Sequence, residues 1–221
     1  MLQAATVKFL RDLKKNNNKP WFDAHRPAYE AAKADFAQFI QTIINQHARA
    51  DKTIESLQAK DCMFRINRDV RFSKDKSPYK TNFGAFINRG GKKSIFAGYY
   101  FHCEPGQSFV GGGLYMPQPA ELAKVRQEID YNFEAFSKIV KGKKFKSVYG
   151  DVSRDAEYSL SRVPKGYEAD HPAASYLKLK SLVALLPLDD KTILSKGLVK
   201  KTTGAFQALR PLVEFVNESI G

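Results

Sequence analysis

The sixteen residues from Arg65 to Lys80, RINRDVRFSKDKSPYK, hold six cations against two aspartates, interleaved with Ile66, Val70, Phe72 and Tyr79. Arginine forks grip a carboxylate or phosphate through paired N–H groups, and lysines on a following loop close over such an anion as point charges. The segment reads as an anion site. As an extended strand over 62–72, Cys62, Phe64, Ile66, Val70 and Phe72 share one face, and Arg65, Asn67, Asp69 and Arg71 the other. Arg68 then projects from the apolar face, where a guanidinium is costly unless paired or liganded. Asp69 suits the role of an arginine orienter better than that of a base, because flanking cations lower its proton affinity. Arg26, Arg68, Asp69, Arg71, Lys76, Tyr79 and Lys80 are the expected ligand-binding set, sharing one pocket with Tyr79 as a stacking face. The competing account has Asp69 merely neutralising an arginine and SKDKSP forming an exposed turn.

Other chemistry finds little support. His25, His47, His102 and His171 are scattered without ligand spacing, and adjacent His102 and Cys103 point to opposite faces of a strand, so no metal site is expected. No serine stands in GxSxG, and no cofactor motif is present. The triplet Gly111–Gly113 lacks the GxxxxGK[ST] context of a phosphate loop and suits a bulge or the close approach of another backbone. Nothing names a reaction, and whether the chain is an enzyme stays open.

The elements that must position these residues follow from periodicity. Leu2, Val7, Phe9, Leu10 and Leu13 recur at helical spacing and stop at Asn16–Asn18; a second helix opens at Pro27 and runs to about His47. Between 61 and 116 the period falls to two, with strands expected at 62–72, 83–88, 95–103 and 108–115 joined by short turns, which excludes βαβ crossovers. After Pro119 helical spacing returns, breaks near Asn132 and ends at Gly142. Residues 143–169 read as irregular and basic, His171 to Leu177 as a short helix capped by Asp170, Ser181 to Leu186 as a further strand, and Asp189–Ser195 and Val199–Ile220 as helices, the last bent at Pro211. The expectation is a single α+β domain over 1–221, an antiparallel meander sheet of about four or five strands flanked by N-terminal and C-terminal helices: helical over 1–50, antiparallel sheet over 61–116, and mainly helical over 117–221.

With 36 Lys and Arg against 23 Asp and Glu, the net charge is +13, most of it in 65–80, 89–93 (RGGKK) and 141–146 (KGKKFK). Such patches suit an anionic small molecule or nucleic acid, although a solvated surface uses the same residues. Two cysteines without CxxC spacing suggest buried thiols in a reducing compartment, the longest apolar run is too short to span a bilayer, and MLQAATVKFLRDLKK has the wrong order for a secretory signal. The cytoplasm is the expected location.

RINRDVRFSKDKSPYKTNFGAF, with PWFDAHRPAYEAAK upstream and LSRVPKGYEADHPAASYLKLKSLV downstream, resembles the bacterial conserved hypothetical family called domain of unknown function 2461. The likeness covers nearly the whole chain and implies one domain of unassigned activity, with no catalytic residues to carry over. Three readings compete: a site for a phosphate- or carboxylate-bearing small molecule, a nucleic-acid-binding module on the same basic surface, and an interaction or structural unit whose charge keeps it dissolved. Both binding readings require at least two of the basic segments on one face.

Overall fold

A computed structural model describes residues 1–221. Helix α1 (Ala4–Lys15) buries Val7, Phe9, Leu10 and Leu13 and ends on Asn16. Asn18 caps α2 (Lys19–Ala24) by accepting from the Trp21 N–H at 3.0 Å, and Pro20 occupies its first turn, where a missing N–H costs nothing. This short helix around Trp21 and Phe22 had no periodic signal. Helix α3 (Arg26–His47) opens at Pro27 as expected and buries Phe36, Phe39, Ile40, Ile43 and Ile44. Helix α4 (Ala59–Cys62) is closed by the Asp61 carboxylate accepting from the Gln58 N–H.

The sheet is a four-stranded antiparallel meander in the order β1 (Phe83–Asn88), β2 (Gly98–Cys103), β3 (Ser108–Leu114), β4 (Leu182–Leu188). Register fixes two unlike faces. Phe83, Phe101, Cys103 and Val110 turn inward onto Phe36 and Phe39 of α3, while paired positions such as Phe86 and Tyr100, or His102 and Phe109, turn outward. Helices α5 (Pro119–Tyr131), α6 (Phe133–Val140), α7 (Lys143–Tyr149), α8 (Ala174–Leu177) and α9 (Asp190–Ile193) lead to α10 (Leu198–Ile220), which continues through Pro211 and packs against β3, β2 and α3. The α+β single-sheet architecture is the one expected. No helix is long and apolar enough to cross a membrane.

Three expectations are corrected. Residues 62–72 are not a strand: Cys62 ends α4, and after Met63 pairs with Ala85 the chain turns back on itself through the Asn67–Tyr79 bridge. Inside that turn, side chains of Arg68, Asp69 and Asp75 bond to nearby backbone, an alternative to a sheet ladder. Lys143 to Tyr149, read as irregular, is helical because Phe145 and Tyr149 anchor it, Tyr149 donating to the Ala205 carbonyl at 2.8 Å. The helix expected from His171 starts at Ala174 and takes no cap from Asp170.

The glycine triplet allows close approach. A Cβ on Gly111 would stand 2.0 Å from the Ala184 carbonyl oxygen and one on Gly113 2.1 Å from that of Leu182, and Gly112 and Gly113 have φ of +146° and +118°. Only glycine fits both the contacts and the dihedrals.

Candidate functional site

The expected set does not converge on one pocket. Arg68 donates to Asp75 Oδ2 at 2.5 Å, to the Ser77 carbonyl at 3.1 Å and to Ser73 Oγ at 3.3 Å, so its guanidinium staples the 68–78 turn from within. Asp75 is held down at about 2, chiefly by hydrogen bonds from Ser77 and then by Arg68. Arg71 makes a two-pronged pair with Asp69 at 2.7 and 3.0 Å, and Lys76 donates to the Val70 carbonyl at 3.0 Å. Phe72, assigned to an apolar face, is 96% exposed. Arg26 pairs with Asp23 at 2.8 Å and lies 5.6 Å over the Phe22 ring, on which the buried Tyr79 stacks at 4.0 Å. Tyr79 is held by Asn17 through both backbone groups and offers no free face. Lys80 alone turns elsewhere: its ammonium lies 5.4 Å above the Phe64 ring, where burial and then the charge of Arg65 lower its proton affinity.

Beside Phe64 a groove of about 780 Å³ opens between α3, α4 and the edge of β1. Tyr29, Met63, Phe64 and Phe83 contribute apolar and aromatic surface. Lys33 from α3, Lys60 from α4, Arg65 just after it, and Lys92 and Lys93 from the β1–β2 turn bring five cations around one carboxylate, Glu30. Glu30 is 3.5 Å from Lys33, whose ammonium also sits 5.6 Å over Tyr29. Lys92 is structural in part, donating to the Lys60 carbonyl at 2.8 Å and accepting the turn's position from Gly90 and Gly91 at φ +87° and +79°. A Cβ on Gly91 would press to 3.2 Å from the Asp61 carbonyl oxygen, so glycine lets this basic turn lie against α4. Lys60, Arg65 and Lys93 are exposed and form no ion pair. Three cations outside any ion pair thus share one groove with the rings of Tyr29, Phe64 and Phe83.

Phe64 is also a boundary, its ring centroid 6.4 Å from that of Tyr100 on the outward face of the sheet. There Tyr100, His102 and Glu104, at alternate positions, form a chain. Glu104 only accepts, so His102 Nε2 carries the proton and donates to Glu104 Oε2 at 3.2 Å, leaving Nδ1 to accept from the Tyr100 hydroxyl at 3.1 Å. Burial lowers the His102 pKa against the pull of Glu104 and pushes the Tyr100 phenol up to about 12. Burial raises Glu104, but hydrogen bonds from Thr81, His102 and Lys14 together bring it below its ordinary value. Both thiols are buried and unpaired; burial raises Cys62 to about 11 and Cys103 to about 12, which leaves neither a nucleophile at neutral pH.

A second depression of about 590 Å³ between α7, β4 and α10 presents Lys200 and Lys201 but no aromatic ring. Sequence reasoning found the Arg65 and RGGKK halves of the groove as separate basic segments. It missed Lys33 and Lys60, whose only signal is helical placement facing a turn distant in sequence. Compared with known proteins, residues 5–215 match the family described as conserved hypothetical protein (DUF2461). No curated protein and no solved structure matches the chain.

Proposed function

The chain belongs to the conserved hypothetical proteins of DUF2461, a description that states no reaction, and we propose from the groove itself that it binds a phosphate-bearing small molecule there. The observation that carries this reading is the set Lys60, Arg65 and Lys93, three cations without acidic partners around one aromatic-floored groove. Arg65 supplies a planar fork for two phosphate oxygens, and Lys60 and Lys93 supply point charges from opposite walls. Lys80 adds a fourth positive charge past Phe64. Phosphate is favoured over carboxylate because three or more cations match a group carrying up to two charges. Two of the three basic segments of the sequence share this face, which speaks for binding over a merely solvated surface. The two unpaired thiols favour the reducing cytoplasm as the place of work.

Thermal unfolding with inorganic pyrophosphate tests the proposal. A ligand at about ten times its Kd stabilises by about 1.4 kcal/mol, a rise in Tm of about 4 °C for a chain of this size. The rise is expected in the wild type and in Arg68→Ala, whose guanidinium is engaged by Asp75, and is expected to vanish in the double variant Arg65→Ala, Lys93→Ala. An undiminished rise in the double variant, or none in the wild type, overturns the assignment.

A further inference from the structure

The outward positions of the four strands, read from the register, carry no Asp, Glu, Lys or Arg in a chain that is 27% charged. Solvated faces of antiparallel sheets ordinarily alternate to polar residues. This one instead presents Phe86, Tyr100 and Phe109, half-buried, with Leu185 and Pro187 exposed. Helices α3 and α10 pack on the opposite face through fully buried Tyr99, Phe101 and Val110, and on this face only Asn88 and Val183, toward one end, are buried side chains. The phenol end of Tyr100 lies over Gly84, where a Cβ would come within 2.5 Å of its oxygen, and the half-buried ring keeps an edge at the surface beside Phe109. Phe64 joins this aromatic surface to the cations, since it lines the groove and stands 6.4 Å from Tyr100.

From this juxtaposition we propose that the open sheet face binds single-stranded nucleic acid, its bases stacked on Tyr100 and the neighbouring rings and its phosphates running through the Arg65–Lys93 groove. The inference rests on the groove reading and extends its ligand from one phosphate to a strand. Charge complementarity selects this occupant. An apolar protein partner has no use for unpaired cations along the rim, whereas a strand needs both, and every base offers a π-face. A duplex keeps its bases stacked inside and leaves the sheet face empty.

The test is fluorescence anisotropy with a fluorescein-labelled oligouridylate of about twelve nucleotides, a duplex of equal length, and inorganic polyphosphate as competitor. The single strand is expected to bind more tightly than the duplex, with affinity falling steeply as salt rises. Tyr100→Leu removes one stack and is expected to weaken binding about tenfold with the salt slope unchanged. Because Tyr100→Leu also breaks the chain to His102, Leu185→Asp is the second probe. Leu185 is 39% exposed, so the variant folds, and the added charge on the face is expected to weaken single-strand binding without altering the pyrophosphate-induced rise in Tm. Wild-type affinity in both variants, equal binding of duplex, or absence of binding at low salt overturns the inference. If pyrophosphate still stabilises the protein in that event, the groove assignment survives; if it does not, both fall.

Discussion

His47, at the last turn of α3, is 1% exposed and neither ring nitrogen has a hydrogen-bond partner. Its ring meets Tyr99 edge-on at 4.4 Å and Phe206 at 5.4 Å. Asp51 and Arg210 are the charged groups that act on it, in opposite directions, and burial outweighs both, lowering the imidazole from 6.5 to about 4. The unfolded chain therefore binds a proton in a range where the folded chain does not, so stability falls with acidification from about pH 6.5 toward pH 4. The contribution is on the order of 3 kcal/mol. Ordinary carboxylates titrate at or below the foot of that window, which separates the two effects. Urea unfolding at pH 7 and pH 4.5 checks it: the wild type is expected to lose most of that stability, and His47→Phe, which keeps the edge-on packing and removes two unsatisfied polar atoms, to lose much less. A His47→Phe protein as acid-sensitive as the wild type sinks the assignment. Arg68 makes the opposite point at this scale. A guanidinium among apolar neighbours signals a partner, and here the partner is Asp75, seven residues on; spacing alone does not distinguish an internal carboxylate from a ligand.

Strand β3 and helix α10 show how one residue type serves opposite ends within elements. Gly111→Ala places a methyl 2.0 Å from the Ala184 carbonyl oxygen, backbone that cannot yield without breaking the β3–β4 ladder, and is expected to destabilise by about 3 kcal/mol or more. Gly204 lies inside α10 with nothing within 4 Å of its Cβ position, so Gly204→Ala is expected to stabilise by about 0.5–1 kcal/mol. Chemical denaturation of the pair measures both signs, and a mild Gly111→Ala would mean that the two strands can separate at no great cost. Elements with strong patterns were readable from the chain: α1, α3 and α10 by their apolar stripes, β1 to β3 by alternation between short turns, and β4 as a short apolar run. Helix α2 is too short to show a period and exists through an asparagine cap and aromatic packing. The 62–72 alternation was real as a pattern, but hydrogen bonds to side chains within 68–78 gave the backbone another arrangement. The groove was readable only in halves, because nothing in sequence tells that Lys60 and Lys93 face each other across α4 and the β1–β2 turn.

Two of the basic clusters of the molecule lie at opposite edges of the sheet. The groove lies at the β1 edge, and Lys143, Lys144 and Lys146 lie on α7, which packs against β4 and α10 at the other. Three strand spacings of about 4.8 Å separate those edges before side chains are added, roughly 14 Å. That exceeds the Debye length of about 8 Å at 0.15 M salt but falls well inside the 30 Å or so at 0.01 M. Charges on α7 therefore act on a groove ligand only when salt is low, and then by steering its approach more than by holding it. Reversing Lys143, Lys144 and Lys146 to glutamate is expected to leave the pyrophosphate Kd within about twofold at 0.15 M salt and to slow association at 0.01 M. Reversing Arg65 alone is expected to abolish binding under both conditions, since it removes a contact and puts a carboxylate in its place. Stopped-flow association rates at the two salt concentrations decide the matter. Should the α7 variant lose as much affinity as the Arg65 variant at 0.15 M, the ligand must span both edges, and the binding surface is the whole sheet face and not a groove at its margin.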